Sequence, residues 1–123
     1  MSDRQKSGAL GEKIAREHLI GLGYQVRETN FRCREGEIDI IAEKEGCLIF
    51  VEVRTKASSS FGTPEESITA SKGKRLISVA NTYLETHSDL PPSWRIDVVA
   101  VELGHRGKIV RVEVIENAVT GEA

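Results

Sequence analysis

The spacing of apolar residues changes several times along this chain, and each change marks an element. Leu10, Ile14, Ala15, Leu19 and Leu22 recur at helical spacing. Ser7 stands where an N-cap would sit, and Gly23 where a left-handed residue ends a helix. A first helix is therefore expected from Ser7 to about Leu22, after a polar, loose start at residues 1–6. Tyr24 to Cys33, rich in Tyr, Val, Thr and Phe, predicts a first strand. Gly36–Lys44 and Cys47–Lys56 predict two more, turned at Glu43-Lys44-Glu45-Gly46. Ala57 to Pro64 predicts a loop, with Pro64 suited to a helix start. Ser71 to about Thr86 predicts a second helix, with Leu76, Ile77, Ala80, Tyr83 and Leu84 inward. Pro91-Pro92 interrupts the chain. Trp94–Leu103 predicts a fourth strand, and Gly104–Gly107 a turn into a fifth at Lys108–Ile115, with frayed residues after it. The order is αβββαββ. The long helix between strands three and four implies a parallel crossover. The fold class is α/β: a mixed sheet with helices on its faces.

Two carboxylates break this pattern. Asp39 lies inside Ile38-Asp39-Ile40-Ile41-Ala42, and Glu52 inside Leu48-Ile49-Phe50-Val51-Glu52-Val53. Both segments are apolar on both alternating faces, as in strands buried within a sheet. An unpaired charge there costs several kcal/mol, the order found for buried ions. Such a group needs a cation, a metal or strong donors. The hairpin brings the two acids close, and Arg54 and Lys56 follow Glu52 on its own strand face. Two acids and a cation at the centre of a sheet suggest a divalent-metal site for phosphodiester chemistry. The alternative is that each acid pairs with a buried Arg or Lys. Asp97, beside Arg95 on one strand face, favours such an internal ion pair.

Composition narrows the classes. At 123 residues the chain suits one domain, with an ordered core at about 7–116. A net charge of −2 argues against a generic electrostatic DNA binder, while leaving room for a local basic patch. Cys33 and Cys47 are too few for a disulfide framework or a zinc site, and His18, His87 and His105 show no ligand spacing. No apolar run approaches the roughly 20 residues of a membrane span, and the start lacks a signal-peptide pattern. A cytoplasmic protein without a membrane partner is expected.

Gly36-Glu37-Ile38-Asp39-Ile40-Ile41-Ala42, followed by Ile49-Phe50-Val51-Glu52-Val53-Arg54-Thr55-Lys56, resembles the PD-(D/E)xK nuclease motif. The element order resembles the restriction-endonuclease-like core. More closely, the chain resembles the YraN-like family of small bacterial proteins from about Gly8 to Ile115. That likeness includes Gly11-Glu12, Phe61-Gly62, Lys72 and Arg95-Ile96-Asp97-Val98-Val99. Within the superfamily it is similar to archaeal Holliday-junction resolvases. The resemblance implies that Asp39 and Glu52 bind Mg²⁺ (or Mn²⁺), with the Val53 carbonyl completing the protein ligands. This suits a hard cation that takes few carboxylates and keeps several waters. It also places a metal-assisting acid on the first helix, where Glu12 borders the apolar stripe; a solvated helix residue is the other reading.

The departure lies at the motif lysine, two residues after Glu52, where this chain has Arg54. Arginine stays protonated and cannot act as a base, although it can stabilise charge. Arg54 is either that stabiliser or a structural partner of the acids. Lys56 shares the face about 6.6 Å further along, at ~3.3 Å per residue. Lys72, opening the second helix, offers another lysine. Glu37 shares a face with Asp39 near the strand entry. Arg27, Arg32 and Arg34 flank the second strand, and Lys72, Lys74 and Arg75 crowd the second helix. Such groups position phosphates, or form an ordinary solvated face. The expectation is an Mg²⁺-dependent endonuclease acting on structured or branched DNA. The alternatives are a silent nucleic-acid-binding module and a partner subunit in DNA repair or recombination. A two-fold substrate would suit a homodimer.

Overall fold

The computed structural model describes residues 3–120, with side chains described from Gly8 onward. Its elements are α1 (Asp3–Gly21), β1 (Gln25–Cys33), β2 (Gly36–Lys44), β3 (Cys47–Ala57), α2 (Ala70–Thr86), β4 (Ser93–Leu103) and β5 (Ile109–Val119). Two short 3₁₀ turns, Glu65–Ser67 and His105–Gly107, lead into α2 and β5. The order is the expected αβββαββ. The sheet runs β1-β2-β3-β4-β5, and only β3 and β4 are parallel, joined by the α2 crossover.

Each helix covers one sheet face. Ile14, Ala15 and Leu19 of α1 pack on Ile40, Ala42, Ile49, Val51, Val99 and Val101. Leu76, Val79, Ala80 and Tyr83 of α2 pack on Ile38, Ile41, Leu48, Phe50 and Ile96. The unbroken buried run along β3, from Leu48 to Glu52, follows from this double cover. At the ends of the expected α1 stripe, Leu10 and Leu22 remain 37% and 47% exposed.

Two element boundaries differ from the sequence expectation. α1 begins at Asp3, so Ser7 lies within the helix instead of capping it. The first turns are polar, and apolar periodicity gives no mark of them. Residues 1–2 lie outside the described residues. β5 runs to Val119, past the expected end at Ile115. The cause is Asp97, wholly buried, whose Oδ1 accepts the Asn117 N–H at 2.9 Å. Arg95 Nε donates to the same oxygen at 2.9 Å, and the Tyr24 hydroxyl donates to Oδ2 at 3.3 Å. The expected Arg95–Asp97 pair is therefore present, and it pins β5 across an irregularity between Ile96 and Val98.

A second polar node holds the segment before α2. Arg111 on β5 donates to both oxygens of Glu65, at 3.0 and 2.7 Å, and to Glu102 and Glu113 at 3.0 and 2.9 Å. The guanidinium lowers the Glu65 carboxyl to about 2. A depressed carboxylate stabilises the fold above its unfolded value, near 4.5, and loses that contribution as pH falls through about 2. Partial exposure places the pair at the upper end of surface ion pairs, about 1 kcal/mol, or ~4 °C in a domain this size. Glu65→Gln and Arg111→Met should each lower Tm by that amount at pH 7. Their deficits should shrink between pH 4.5 and 2 in thermal scans. Unchanged melting of both variants at pH 7 would show that the node does not stabilise the fold.

Candidate metal and phosphate site

The β2–β3 ladder runs from Lys44↔Cys47 to Ile40↔Val51 and stops. The next facing pair is Asp39 and Glu52. Here the Asp39 side chain replaces the ladder, its Oδ2 accepting the Val53 N–H at 2.8 Å. The strand is irregular at this point. Ile38 and Ile40, which a regular strand would place on one face, pack into opposite cores. Asn30, across from Asp39 on β1, takes a positive φ of 56°. The two strands part, and a cleft of about 890 Å³ opens at that end of the sheet, lined among others by Glu12, Glu37, Asp39, Glu52, Arg54 and Lys72.

Glu52 is 5% exposed. Its Oε2 lies 3.2 Å from Arg54 Nη2 and 3.5 Å from Lys72 Nζ. Burial, then the Asp39 charge, then a hydrogen bond with Asp39 raise its carboxyl to about 8, against the pull of Lys72 and Arg54. Near neutral pH the Glu52 carboxyl therefore holds its proton against the neighbouring Asp39 charge. Glu12 is pushed up as well, by burial and then by Asp39 and Glu37.

Both helices reach this end of the sheet. α1 closes on β3 at Gly11, where a Cβ would overlap Thr55 Oγ1, and the next residue, Glu12, then lines the cleft. α2 is capped by Thr69, whose Oγ1 accepts the Lys72 N–H at 3.1 Å. That cap fixes the first turn, from which the Lys72 side chain reaches Glu52.

The expected residues separate into two groups. Asp39, Glu52, Val53, Arg54, Lys56, Glu12, Glu37 and Lys72 line one cleft. Lys56 does not pair with the acids; its Nζ donates to the Phe61 carbonyl at 3.4 Å. Arg54 touches Glu52 through Nη2, while its Nε is buried without a partner. Arg32, Arg34, Lys74 and Arg75 are exposed and lie outside the cleft. Arg32 pairs with Glu37 at 3.3 Å, and Lys74 lines a groove between α2 and β5. Arg27 is taken up by Glu43, at 2.8 Å. Ser60, Ser67, Gly104 and Gly107 also line the cleft, although they carry no sequence signal of it. The β3–α2 and β4–β5 connections bring them there.

Among the described residues no three carboxylate, imidazole or thiol groups converge as a ready-made metal cage. The donor set still fits a hard divalent ion, which needs one or two carboxylates and retains water. Glu52, buried beside the Asp39 charge, is a carboxyl that a divalent charge would relieve.

The family model described as "Uncharacterised protein family UPF0102" matches residues 11–101. A UPF0102 protein of Clavibacter michiganensis is 44% identical over 118 residues, covering 96% of this chain and 99% of its own. Relatives from Symbiobacterium thermophilum and Roseiflexus castenholzii are 44% and 45% identical, covering 93% and 94% of this chain and 96% and 94% of their own. The chain belongs to the UPF0102 family, the YraN-like proteins.

The raised Glu52 carboxyl sets a sign. Its folded value lies above the unfolded one, so its protonation stabilises the metal-free fold fully below about 4.5, and this is lost as pH rises through about 8. Glu52→Gln should melt like the wild type near pH 5 and a few degrees higher at pH 9. Addition of Mg²⁺ should stabilise the wild type and not the variant. A variant that melts lower than the wild type at pH 9 would mean that Glu52 serves there as a structural partner of Arg54 and Lys72.

Proposed function

We propose that this UPF0102 protein binds nucleic acid and hydrolyses phosphodiester bonds in structured or branched DNA, with Mg²⁺ or Mn²⁺. The observation that carries this reading is the fork of β2 and β3. It places Asp39 and Glu52 together in an open cleft, with Arg54 and Lys72 at hand. The resemblance of the same two segments to the PD-(D/E)xK motif supports it independently. When bound, the divalent ion would supply positive charge to a phosphate oxygen and lower the pKa of an attacking water.

Asp39, Glu52 and the Val53 carbonyl would hold that ion, and Glu12 adds negative charge at the cleft wall. The proton held by the raised Glu52 carboxyl would leave on binding, because ligands must be deprotonated. The Val53 N–H holds Asp39 in one orientation. A guanidinium cannot act as a base, so Arg54 would stabilise developing negative charge on phosphate and take no proton. Its unpartnered Nε is a donor awaiting an acceptor. Lys72 supplies a second cation from the opposite wall.

One observation favours the second reading, a silent nucleic-acid-binding module. Arg54 and Lys72 both already lie against Glu52 Oε2, where a bound cation would compete with them. Cleavage assays on four-way, flapped and nicked DNA with Mg²⁺ and Mn²⁺ separate the two. Hydrolysis is expected with the wild type, with a loss of about 100-fold or more in Asp39→Asn, the scale of removing one charge-stabilising group. Arg54→Lys should keep the fold and maintain or raise the rate. Binding without cleavage of any substrate, together with a lower Tm in Arg54→Lys, would move the conclusion to the silent module.

A further inference from the structure

Among the described residues Phe61 is the fully exposed member of the large apolar side chains; the next, Val110, is 57% exposed. A single exposed apolar residue is ordinary on a protein surface. The setting of Phe61 is different. It lies in the connection from β3 to α2, the two elements that carry Glu52, Arg54 and Lys72. Its neighbour Ser60 and the strand residue Lys56 both line the cleft. The backbone around it is fastened. Lys56 Nζ donates to the Phe61 carbonyl, Ser60 N–H to the Ala57 carbonyl at 2.9 Å, and Ser58 N–H to the Leu103 carbonyl at 2.8 Å. Gly62 follows at a φ of 81°, a conformation that a side chain there would strain. Beyond it, Arg111 holds Glu65. An aromatic ring is thus held out in water at the rim of a charged cleft, and nothing in the fold uses its apolar faces.

We propose that Phe61 is a stacking platform for an unpaired nucleobase next to the phosphate held in the cleft. The preferred substrate is therefore nucleic acid with a base outside the duplex stack: a single strand, gap, flap or junction. This rests on the reading of the cleft as a nucleic-acid site. Lys56 links the two functions, since the lysine that fixes the Phe61 carbonyl shares the strand face of Glu52 and Arg54. The arrangement is that of single-strand sites, in which cations follow the backbone and aromatic rings receive bases. Stacking of this kind tolerates any base, so the platform selects for unpairing and not for sequence. In a perfect duplex every base face is covered, and Phe61 has nothing to receive.

The test is binding by fluorescence anisotropy, in Ca²⁺ so that nothing is cleaved. It uses single-stranded DNA and RNA, a perfect duplex, a gapped duplex, and the gapped duplex with an abasic nucleotide at the gap. The wild type should bind unpaired substrates more tightly than duplex. Phe61→Ala should weaken them by between about 5-fold and 150-fold, the range for one lost base–aromatic stack. Its duplex affinity, melting temperature and salt slope should stay as in the wild type, because no phosphate contact is lost. Phe61→Trp should restore affinity, and the abasic substrate should erase the difference between the wild type and Phe61→Ala. Equal weakening on duplex and unpaired substrates, or no weakening on any, overturns the platform while leaving the cleft reading intact. Failure of the wild type to bind any of these nucleic acids overturns the cleft reading and the platform together.

Discussion

The side chain of Asp39 accepts a backbone hydrogen bond, from Val53, at the point where the β2–β3 ladder stops. The substitution keeps a part-buried N–H satisfied while letting two strands separate. If the ladder continued for one more pair, Asp39 and Glu52 would face each other across closed backbone. If the N–H had no acceptor, the strands would have no stable way to part. The cleft, the closeness of the two acids and the access of both helices to them all follow from this contact. The cost falls on Glu52, which is buried beside a like charge and holds its proton to about pH 8.

β2 and β3 were legible because a tight turn at Glu45-Gly46 separates them and dense β-branched residues fill their interiors. The embedded acids were legible for the same reason: a charge in a run apolar on both faces stands out. The start of α1 was not, since helix formation by polar residues leaves no apolar period. The length of β5 was not either, because it depends on Asp97, twenty positions away in sequence, capturing one N–H of Asn117. The basic residues show the limit most clearly. Lys72, Lys74 and Arg75 look alike in sequence, yet only Lys72 lines the cleft. The Thr69 cap fixes the rotation of the first helical turn, and that rotation decides which lysine meets Glu52.

An acidic chain can still present cations to an anion, because its charges are sorted by place. Much of the positive charge at the surface is cancelled locally: Arg27 by Glu43, Arg32 by Glu37, Arg95 by Asp97, and Arg111 by Glu65, Glu102 and Glu113. In the cleft, Arg54 and Lys72 face Glu52, whose carboxyl is raised to about 8, so their charge is only partly answered at neutral pH. Net charge is therefore a poor guide to what this surface attracts.

The connection between β3 and α2 joins these parts. It begins at Lys56 and Ala57, on the strand that carries Glu52 and Arg54, and ends at Thr69, the cap that aims Lys72. Between them it is held by Lys56 at the Phe61 carbonyl and by Arg111 at Glu65. The segment passes from one wall of the cleft to the other, so its length and its two anchors set the spacing of Arg54 and Lys72. Arg111 lies on β5, whose far end is pinned by Asp97. A polar node at one end of the sheet and a clamp near the other thus both bear on where the two cations stand relative to Asp39 and Glu52.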